Sequence, residues 1–384
     1  MAQNNFIMKK KKIYILHNYQ LIGKGMRQAL PKESYDVYIL TSGYPNKVFR
    51  SDVINHDCEI IVVNNFSIEN LSNILLKDSE ILTNDESCIS DCTQLRKHFS
   101  LPIRSVTDIS AYTNKIVMKN KLSDSNIGTP NFVQLHLNLN ETKKNILENL
   151  KFPLVLKPDK GGYNSGIAII KNKKEFADWL KTQKENSSWH AEEFIDGKLF
   201  HANAFVMNGE IFPVQVCAYT HPPLESNFHS PLGSITLPNT HPIYSLGHEL
   251  NEKVIKALGS DGCFVVHTEF FISDNGKLFV IDVAGRAPGA LVSDIAEISS
   301  GVNLEKASLL LQLGEQPEKP SFTGTYSAWT WSSPHKDGNV SCLLLWNKEF
   351  KYLLFDLEKT SSGMEGVKET NWLKDLDLHN EVYV

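Results

Sequence analysis

Two carboxylates in the segment HTEFFISDNGKLFVIDVAGR are spaced so that a single cation could bind both of them. If Asn275-Gly276 forms a two-residue type I′ turn, the antiparallel register places Glu269 directly opposite Asp282. Cross-strand Cβ atoms lie roughly 5 Å apart, and like charges at that spacing are destabilising unless a positive charge lies between them. Carboxylate oxygens are the ligands that Mg²⁺ prefers, with Mn²⁺ as an alternative, and substrate phosphates commonly complete the coordination. The hairpin therefore predicts a metal site at Glu269 and Asp282.

The same register places two more polar side chains beside these acids. His267 lies opposite Ala284 on the same face, and Arg286 follows two residues later. A lone histidine on a strand is more often packed or hydrogen-bonded than a ligand, so both interpretations of His267 stay open. Arg286 could be a salt-bridge partner of the two acids or could bind a substrate.

A glycine-rich loop in the segment VLKPDKGGYNSGIAII could supply the phosphate site that such a metal needs. Gly161, Gly162 and Gly166 allow backbone N–H groups to approach an anion, Ser165 adds a hydroxyl, and Lys157 adds a positive charge. A turn between two strands with no ligand explains the loop equally well, and the P-loop pattern is absent. The loop is informative only together with the carboxylate hairpin.

Three kinds of element must position these residues. In the first hundred residues short strands alternate with short helices, which is typical of a parallel α/β unit, although no G-x-G-x-x-G follows the first strand. A small α+β unit then carries the glycine loop between two strands. Antiparallel strands follow, with turns at Asn208-Gly209 and Asn275-Gly276, and we expect the long loop at residues 220–247 to cover the substrates.

The composition limits the class of protein. The 384 residues are 41% hydrophobic and 22% charged with a net charge of −5, which is typical of a soluble globular protein of two or three structural units. This balance predicts no nucleic-acid partner, and no apolar run approaches the roughly 18 residues of a membrane span. The apolar segment after the basic residues 9–12 is too short for a signal peptide, and the cysteines are scattered. We therefore expect reduced thiols and a cytoplasmic location.

The order of these features resembles the ATP-grasp superfamily. A lysine with a glycine loop is followed by the acidic strand end HAEEFIDG and then by the carboxylate hairpin closed by RAPG, over residues 114–314. The resemblance implies two α+β subdomains that grip ATP between antiparallel sheets, after a Rossmann-like α/β pre-ATP-grasp domain. The implied domains are the α/β domain at 9–106, the small subdomain at 107–189, the large subdomain at 190–316 and a small α+β extension at 317–384.

The resemblance also implies which residues bind the nucleotide. Lys115 and Lys157 match two nucleotide-binding lysines, and residues 161–166 match the loop that closes over the phosphates. The hinge whose main chain binds adenine, mainly through its second and fourth residues, is matched by Glu192, Glu193, Phe194 and Ile195.

The remaining implied residues lie around the metal and the ribose. Glu269 and Asp282 match the magnesium carboxylates, and Arg286 matches an arginine that contacts the transferred phosphate or the substrate carboxylate. The chain departs from the family pattern at two positions. Relatives often hold the ribose with a glutamate after the hinge, and because this chain lacks it we expect His201 to substitute. Relatives commonly have Asn where this chain has Ala284.

The segments EEFIDG, HTEFF and DVAGRAPG are most similar to those of carboxylate–amine ligases of the amino-acid ligase type. This similarity implies an ATP-dependent ligase that forms an amide or peptide bond through an acylphosphate and releases ADP and phosphate. The implied substrates are a small carboxylate and a small amine, such as amino acids. A biotin-carboxylase-like carboxylase and a non-catalytic ATP-binding regulator are the alternatives. Homodimers are common among similar enzymes, but the sequence identifies no interface.

Overall fold

The computed structural model describes residues 10–18, 22–42, 58–75, 78–135, 146, 148–159, 166–183, 188–225 and 232–331. The strands form one parallel and two antiparallel sheets, which agrees with the predicted combination of α/β and α+β units. The predicted loop residues Gly161, Gly162 and Ser165 lie outside the described residues. None of the described helices combines the length and the apolar character needed to cross a bilayer.

The described N-terminal residues form a parallel sheet with apolar clusters on both faces. Ile13 and Ile15 enter one cluster, and the alternate residues Tyr14 and Leu16 enter the other. A strand buried on both faces has a continuous apolar sequence, which explains the run IYIL. The strands are β1 (Lys11–Leu16), β2 (Tyr35–Thr41), β3 (Cys58–Val62) and β4 (Glu80–Leu82), in the order β3-β2-β1-β4, with α1 (Lys24–Ala29), α2 (Ile68–Leu71) and α3 (Ile89–His98).

A capped helix leads into the small antiparallel sheet. The helix α4 (Lys115–Asp124) begins after Asn114, whose side-chain oxygen accepts the N–H groups of Ile116 and Val117. Residues four apart share a helix face, so Lys115 and Lys119 both point inward and both are buried. The sheet is β5 (Phe132–Leu135), β8 (Trp189–Glu193), β6 (Leu154–Pro158) and β7 (Ala168–Ile170), in that spatial order, and α5 (Lys173–Lys181) packs against it.

The large antiparallel sheet has one apolar face and one mixed face. Phe200 and Phe270 lie on the apolar face with Leu250 and Val254, and Phe205 lies on the other face with an apolar cluster of its own. The strands are, in spatial order, β13 (Leu278–Ala284), β12 (Cys263–Ser273), β9 (Gly197–Met207), β10 (Glu210–Tyr219), β11 (Leu232–Thr236) and β14 (Ala328–Trp331). The helices are α6 (Pro242–Leu258) on the apolar face and α7 (Val292–Ser300) and α8 (Leu304–Leu313) on the mixed face.

The C-terminal boundary differs from the prediction. Residues 328–331, which the sequence assigned to a separate extension, form β14 and pair with β11 at the edge of the large sheet. The pairing gives backbone hydrogen bonds to an edge that would otherwise be open. Residues 332–384 lie outside the described part of the chain.

The metal hairpin has the predicted pairing but not the predicted turn. The N–H of Ser273 donates to the Lys277 carbonyl at 3.0 Å, and the N–H of Gly276 donates to the Ser273 carbonyl at 2.7 Å, so the turn contains three residues. Gly276 has φ +76°, which favours glycine. This turn shifts the register by one residue, and a bulge next to Glu269 shifts it back. Glu269 therefore pairs with Asp282, and the prediction of that pair is confirmed.

Candidate active site

Two buried lysines hold the carboxylate of Glu192. Lys119 Nζ lies 3.1 Å from Oε1, and Lys157 Nζ lies 2.9 Å from Oε2. Lys119 comes from α4, Lys157 from β6 and Glu192 from the neighbouring strand β8, so the cluster exists only when the helix packs on the sheet. Glu192 is 1% exposed. It was predicted as part of the main-chain hinge, but here its side chain aligns the two lysines.

A histidine connects this carboxylate to a second one. His190 Nε2 lies 2.8 Å from Glu192 Oε1, and His190 Nδ1 lies 2.9 Å from Asp159 Oδ1. The side chain of Gln134 donates to the other oxygen of Asp159 at 3.2 Å. The Asp159 carbonyl accepts the N–H of Lys115 at 2.9 Å, which fixes the start of α4 against the end of β6. The network therefore joins the helix to the sheet.

An ion pair joins the two antiparallel sheets at the site. Lys115 Nζ lies 2.7 Å from Asp282 Oδ1, and Lys115 is also on the helix that carries Lys119. The predicted nucleotide lysines Lys115 and Lys157 and the predicted metal carboxylate Asp282 are thus connected through α4 and three ion pairs, which are Lys157–Glu192, Lys119–Glu192 and Lys115–Asp282. The sequence separation of Lys115 and Asp282 is 167 residues, so this contact depends on the tertiary fold.

Charge pairing changes the pKa values of these groups. Burial acts to raise the pKa of Glu192, but the charges of Lys119 and Lys157 outweigh burial and hold this pKa well below its usual range. Burial lowers the pKa of Lys119 despite its contact with Glu192. Burial also acts to lower the pKa of Lys115, but Asp282 and Glu86 raise it. The facing carboxylates therefore outweigh burial in their effect on the pKa of Lys115, whereas burial dominates the pKa of Lys119.

The predicted metal carboxylate Glu269 lies in a more open part of the site. Its Oε1 accepts the hydroxyl of Tyr219 at 2.7 Å and lies 3.5 Å from His267 Nε2. Its side chain is 19% exposed and that of Asp282 is 32% exposed, whereas Glu192 is fully enclosed. Burial acts to raise the pKa of Glu269, but His267 and Tyr219 lower it. The carboxylate therefore remains ionised and can accept a cation.

The structure contradicts the expected ribose contact at His201. This side chain is 0% exposed, with Nε2 3.1 Å from Ser234 Oγ and Nδ1 3.0 Å from the amide nitrogen of Asn203. Burial and the nearby His267 hold the pKa of His201 well below its usual value, so the imidazole is neutral. Both ring nitrogens are engaged inside the sheet, and the ring offers no atom to a ribose hydroxyl. The sequence alone could not show that the side chain at position 201 is fully buried against the large sheet.

The predicted adenine hinge follows β8. The N–H of Glu193 donates to the Asn131 carbonyl at 2.9 Å, and the Glu193 carboxylate accepts two N–H groups of Asn131, each at 3.0 Å. The N–H of Glu193 is thus used within the protein, and the expected main-chain contact of Glu193 with adenine stays a prediction. Phe194 and Ile195 are half-buried between β8 and β9 and keep their predicted role as a proposal.

The described end of the glycine loop requires glycine for a physical reason. Gly166 has φ +80°, and a Cβ at this position would lie 3.1 Å from the Trp189 ring and 3.3 Å from the Pro158 ring. A larger residue would therefore be strained in backbone conformation and crowded at once. Gly166 fixes where the loop re-enters the sheet at β7.

Arg286 pairs with Glu86 of the N-terminal unit. Its Nε and Nη2 atoms donate to Glu86 Oε2 at 3.2 and 2.8 Å, and Nη1 donates to the Ala287 carbonyl at 3.0 Å. The Arg286 and Glu86 side chains are 10% and 9% exposed. Burial acts to raise the pKa of Asp282, and Lys115 lowers it. The charge of Arg286 also lowers this pKa, by a smaller amount. The N-terminal unit therefore contributes a charged residue directly beside the site.

Several residues of the site were not predicted from the sequence. Lys119 could have been found, since it lies four residues after Lys115 in a helical segment. His190 lies two residues before Glu192 on a strand, so the sequence could have shown that their side chains share a face. The other unpredicted residues depend on contacts between distant segments and had no local signal; they are Glu86, Asp159, Asn203 and Tyr219.

The carboxylate pair fits a divalent cation. Glu269 and Asp282 face each other on the hairpin and are partly open to solvent. In the part of the chain that the structure describes, no three His, Cys, Asp or Glu side chains are arranged to hold a metal. Lys115 also engages Asp282 Oδ1. A cation held here would take further ligands from a substrate, as Mg²⁺ does when it binds phosphates.

Comparison with known proteins gives a consistent result. The sequence profile of the ATP-grasp domain matches residues 120–290. The chain is 28% identical over 268 residues to the L-arginine-specific L-amino acid ligase of Bacillus subtilis, an alignment that covers 68% of this chain and 64% of that protein. It is 26% identical over 270 residues to the N5-carboxyaminoimidazole ribonucleotide synthase of Staphylococcus epidermidis, covering 69% of this chain and 67% of that protein.

Solved structures share the fold at low sequence identity. The L-amino acid ligase from Bacillus licheniformis has a TM-score of 0.60 at 18% identity and covers 81% of this chain and 75% of its own. The N5-carboxyaminoimidazole synthetase from Staphylococcus aureus complexed with ADP has a TM-score of 0.66 at 20% identity, covering 84% and 83%. The profile, the two antiparallel sheets and the lysines and carboxylates near them lead to one conclusion: residues 120–290 contain an ATP-grasp domain.

Proposed function

We propose that this protein is an ATP-dependent carboxylate–amine ligase that forms an amide through an acylphosphate. The observation that carries the proposal is the Lys115–Asp282 ion pair, because it brings the lysine cluster and the carboxylate hairpin to one place. Phosphoryl transfer needs positive charge around the phosphates and correct positioning, and it needs no nucleophilic side chain. The named relatives, an amino acid ligase and a ribonucleotide synthase, support this class of chemistry.

The proposed reaction has two steps. A carboxylate oxygen of the acid attacks the γ-phosphorus of ATP, and the bond from that phosphorus to the ADP oxygen breaks. The amine nitrogen then attacks the acyl carbon, the bond from that carbon to the phosphate oxygen breaks, and the amine proton leaves with phosphate. Lys115 and Lys157 bind the phosphate oxygens, the main chain at Glu193 and Ile195 contacts adenine, and Arg286 orients the transferring group. A divalent cation at Glu269 and Asp282 supplies additional positive charge when bound.

The binding of ATP would change the ion pairs that exist without it. Lys157 now holds Glu192, and Lys115 now holds Asp282. A phosphate that attracts Lys115 releases Asp282 Oδ1 for the cation. The phosphate-binding lysines and the cation site would then become available only when the nucleotide binds. Before that, each buried charge keeps a partner, which limits the free-energy cost of burying unpaired charges.

The test is a screen for ADP release with pairs of L-amino acids, with arginine included because the relative from B. subtilis is named for it. Mass spectrometry of the mixtures identifies any amide product. We expect release that requires both an acid and an amine, and we expect Lys157→Ala and Asp282→Asn to abolish it. Lys181→Ala is the control, because Lys181 is 74% exposed and lies outside the site. Unchanged turnover in both site variants would contradict the assignment.

A carboxylase is the second candidate, since the chain is also 26% identical to a carboxyaminoimidazole ribonucleotide synthase. In that case bicarbonate takes the place of the organic acid. The same screen with bicarbonate and 5-aminoimidazole ribonucleotide separates the two candidates, because only the carboxylase gives bicarbonate-dependent ADP release. Tight ATP binding without ADP release in either screen would favour a regulator.

A further inference from the structure

We propose that Lys119 is a positioning residue for nucleotide binding, which keeps the Glu192 carboxylate paired when Lys157 leaves that carboxylate for a phosphate of the nucleotide. The inference rests on the role of Lys157 in the proposed function. It gives a task to a buried lysine that the proposed reaction does not use, and it follows from a difference between the two lysines that hold Glu192.

Only one of the two lysines is placed to reach a ligand. The Lys119 side chain is 0% exposed, and its Nζ lies 5.6 Å from the centre of the Phe132 ring, on the residue of β5 that pairs with Glu192. The Lys157 side chain is 9% exposed and belongs to the last two residues of β6. A long side chain at a strand end can turn towards a bound phosphate, whereas Lys119 is enclosed by the ring and the carboxylate.

The two lysines hold different oxygens of the same carboxylate. Lys157 Nζ lies 2.9 Å from Glu192 Oε2, and Lys119 Nζ lies 3.1 Å from Oε1, so Lys157 can leave without moving Lys119. Glu192 then still faces one ammonium group. If Lys119 carried no charge, the departure of Lys157 would leave the buried carboxylate with no lysine, and an uncompensated buried charge is strongly destabilising. Lys119 therefore makes the departure of Lys157 less costly.

Repulsion between the two lysines acts in the same direction. Burial lowers the pKa of Lys119, Glu192 raises it, and the charge of Lys157 lowers it, so the two ammonium groups oppose each other. Movement of Lys157 towards a phosphate relieves this repulsion. The apparent affinity for a nucleotide depends on the fraction of the protein in which Lys157 is free to bind it. Lys119 increases that fraction, because it shares Glu192 with Lys157.

Removal of the Lys119 charge should weaken nucleotide binding. In Lys119→Met, Lys157 becomes the only lysine on Glu192, and we expect the Kd for ADP to rise by about tenfold. In turnover assays the loss should appear in the KM for ATP and not in kcat, because at saturation Lys157 is already on the phosphate. Lys119→Gln keeps a hydrogen-bond donor without the charge, and it should show the same loss if the methionine variant does not fold. Lys121→Met is the matched control on α4, since Lys121 is 35% exposed and pairs with Asp108.

The direct test is calorimetric titration of ADP into a double variant that combines Lys119→Met with Glu192→Gln. No carboxylate then holds Lys157 back, and we expect the Kd for ADP to return to within about threefold of the wild-type value. A lysine that only attracts phosphate or only packs in the core would leave the loss in place. A wild-type Kd in both single Lys119 variants, or a tenfold loss that persists in the double variant, would overturn the proposal. The titration needs no turnover, so it can fail while acid- and amine-dependent ADP release succeeds, and the reverse.

Discussion

Two clusters of charge meet in this site, and they are balanced in opposite ways. Around Glu192 every carboxylate oxygen has a cationic or imidazole partner, and the lysines outnumber the acid they face. Around Glu269 the partners are a tyrosine hydroxyl and a histidine, and the carboxylate faces another carboxylate. The first cluster has positive charge to offer to phosphates, and the second has negative charge to offer to a cation. Under the proposed function, these two clusters would bind the nucleotide phosphates and the cation, respectively.

The largest expected effect comes from breaking the lysine cluster. In Glu192→Gln, Lys119 remains fully buried without a countercharge, and removing one partner of a buried ion pair commonly costs about 3–5 kcal/mol. Urea unfolding should show a loss of this size. Glu193→Gln is the control on the neighbouring residue, whose carboxylate binds only Asn131, and it should lose much less. Equal losses in the two variants would contradict the role of the lysines.

A third buried carboxylate sharpens the comparison, because backbone N–H groups donate hydrogen bonds to it. Glu305 of α8 accepts the N–H of Gly23 at 2.9 Å, at the start of α1 in the N-terminal unit. Burial raises the pKa of Glu305 to about 7, against the opposing effect of the backbone N–H groups, whereas the lysines lower the pKa of Glu192. The comparison shows that backbone donors alone do not offset burial here.

The pH dependence follows from this pKa. Between pH 4.5 and about 7 the folded protein keeps a proton on Glu305 that the unfolded chain has released, so stability falls as the pH rises through this range. The full difference corresponds to about 3 kcal/mol. Glu305→Gln should remove this part of the fall, so that the variant gains stability relative to wild type between pH 5 and pH 8. Parallel stability curves for the two proteins over this range would contradict the assigned pKa.

The smallest expected effect concerns the arginine beside the carboxylate pair. Glu86→Gln weakens the contact that holds Arg286, and we expect kcat for ADP release to fall by about tenfold with little change in the KM for ATP. Glu80→Gln is a matched control, because Glu80 lies 3.2 Å from Arg96 in the same N-terminal unit but outside the site. The control should lose stability and keep kcat. A similar kcat in both variants would show that the Glu86 contact is only structural.

How much of the site the sequence predicts depends on how far apart the contacting residues lie along the chain. The Glu269–Asp282 pair was predictable, because alternation on a short hairpin determines which side chains share a face. Even there, the three-residue turn and the bulge were not predicted. Each shifts the strand register by one residue, and the two shifts cancel. His201 was assigned to the ribose because its strand position was known but its enclosure was not.

Contacts between distant segments were not predictable. Arg286 and Glu86 are 200 residues apart, and Lys119 meets Glu192 only through the tertiary fold. Local patterns give the elements and the types of side chain, whereas the packing of elements decides which charges meet. The prediction of parallel α/β and antiparallel α+β units was confirmed for this reason.

The central claim is that an acid becomes an acylphosphate in this site, and oxygen transfer tests it most directly. The acid, identified in the ADP-release screen, is supplied with ¹⁸O in its carboxylate, together with ATP and the amine, and the phosphate product is examined by mass spectrometry. Because the carboxylate oxygen that attacks the γ-phosphorus leaves with phosphate, we predict one ¹⁸O atom in each phosphate released. Phosphate without ¹⁸O, at the same yield of ADP, would contradict the account.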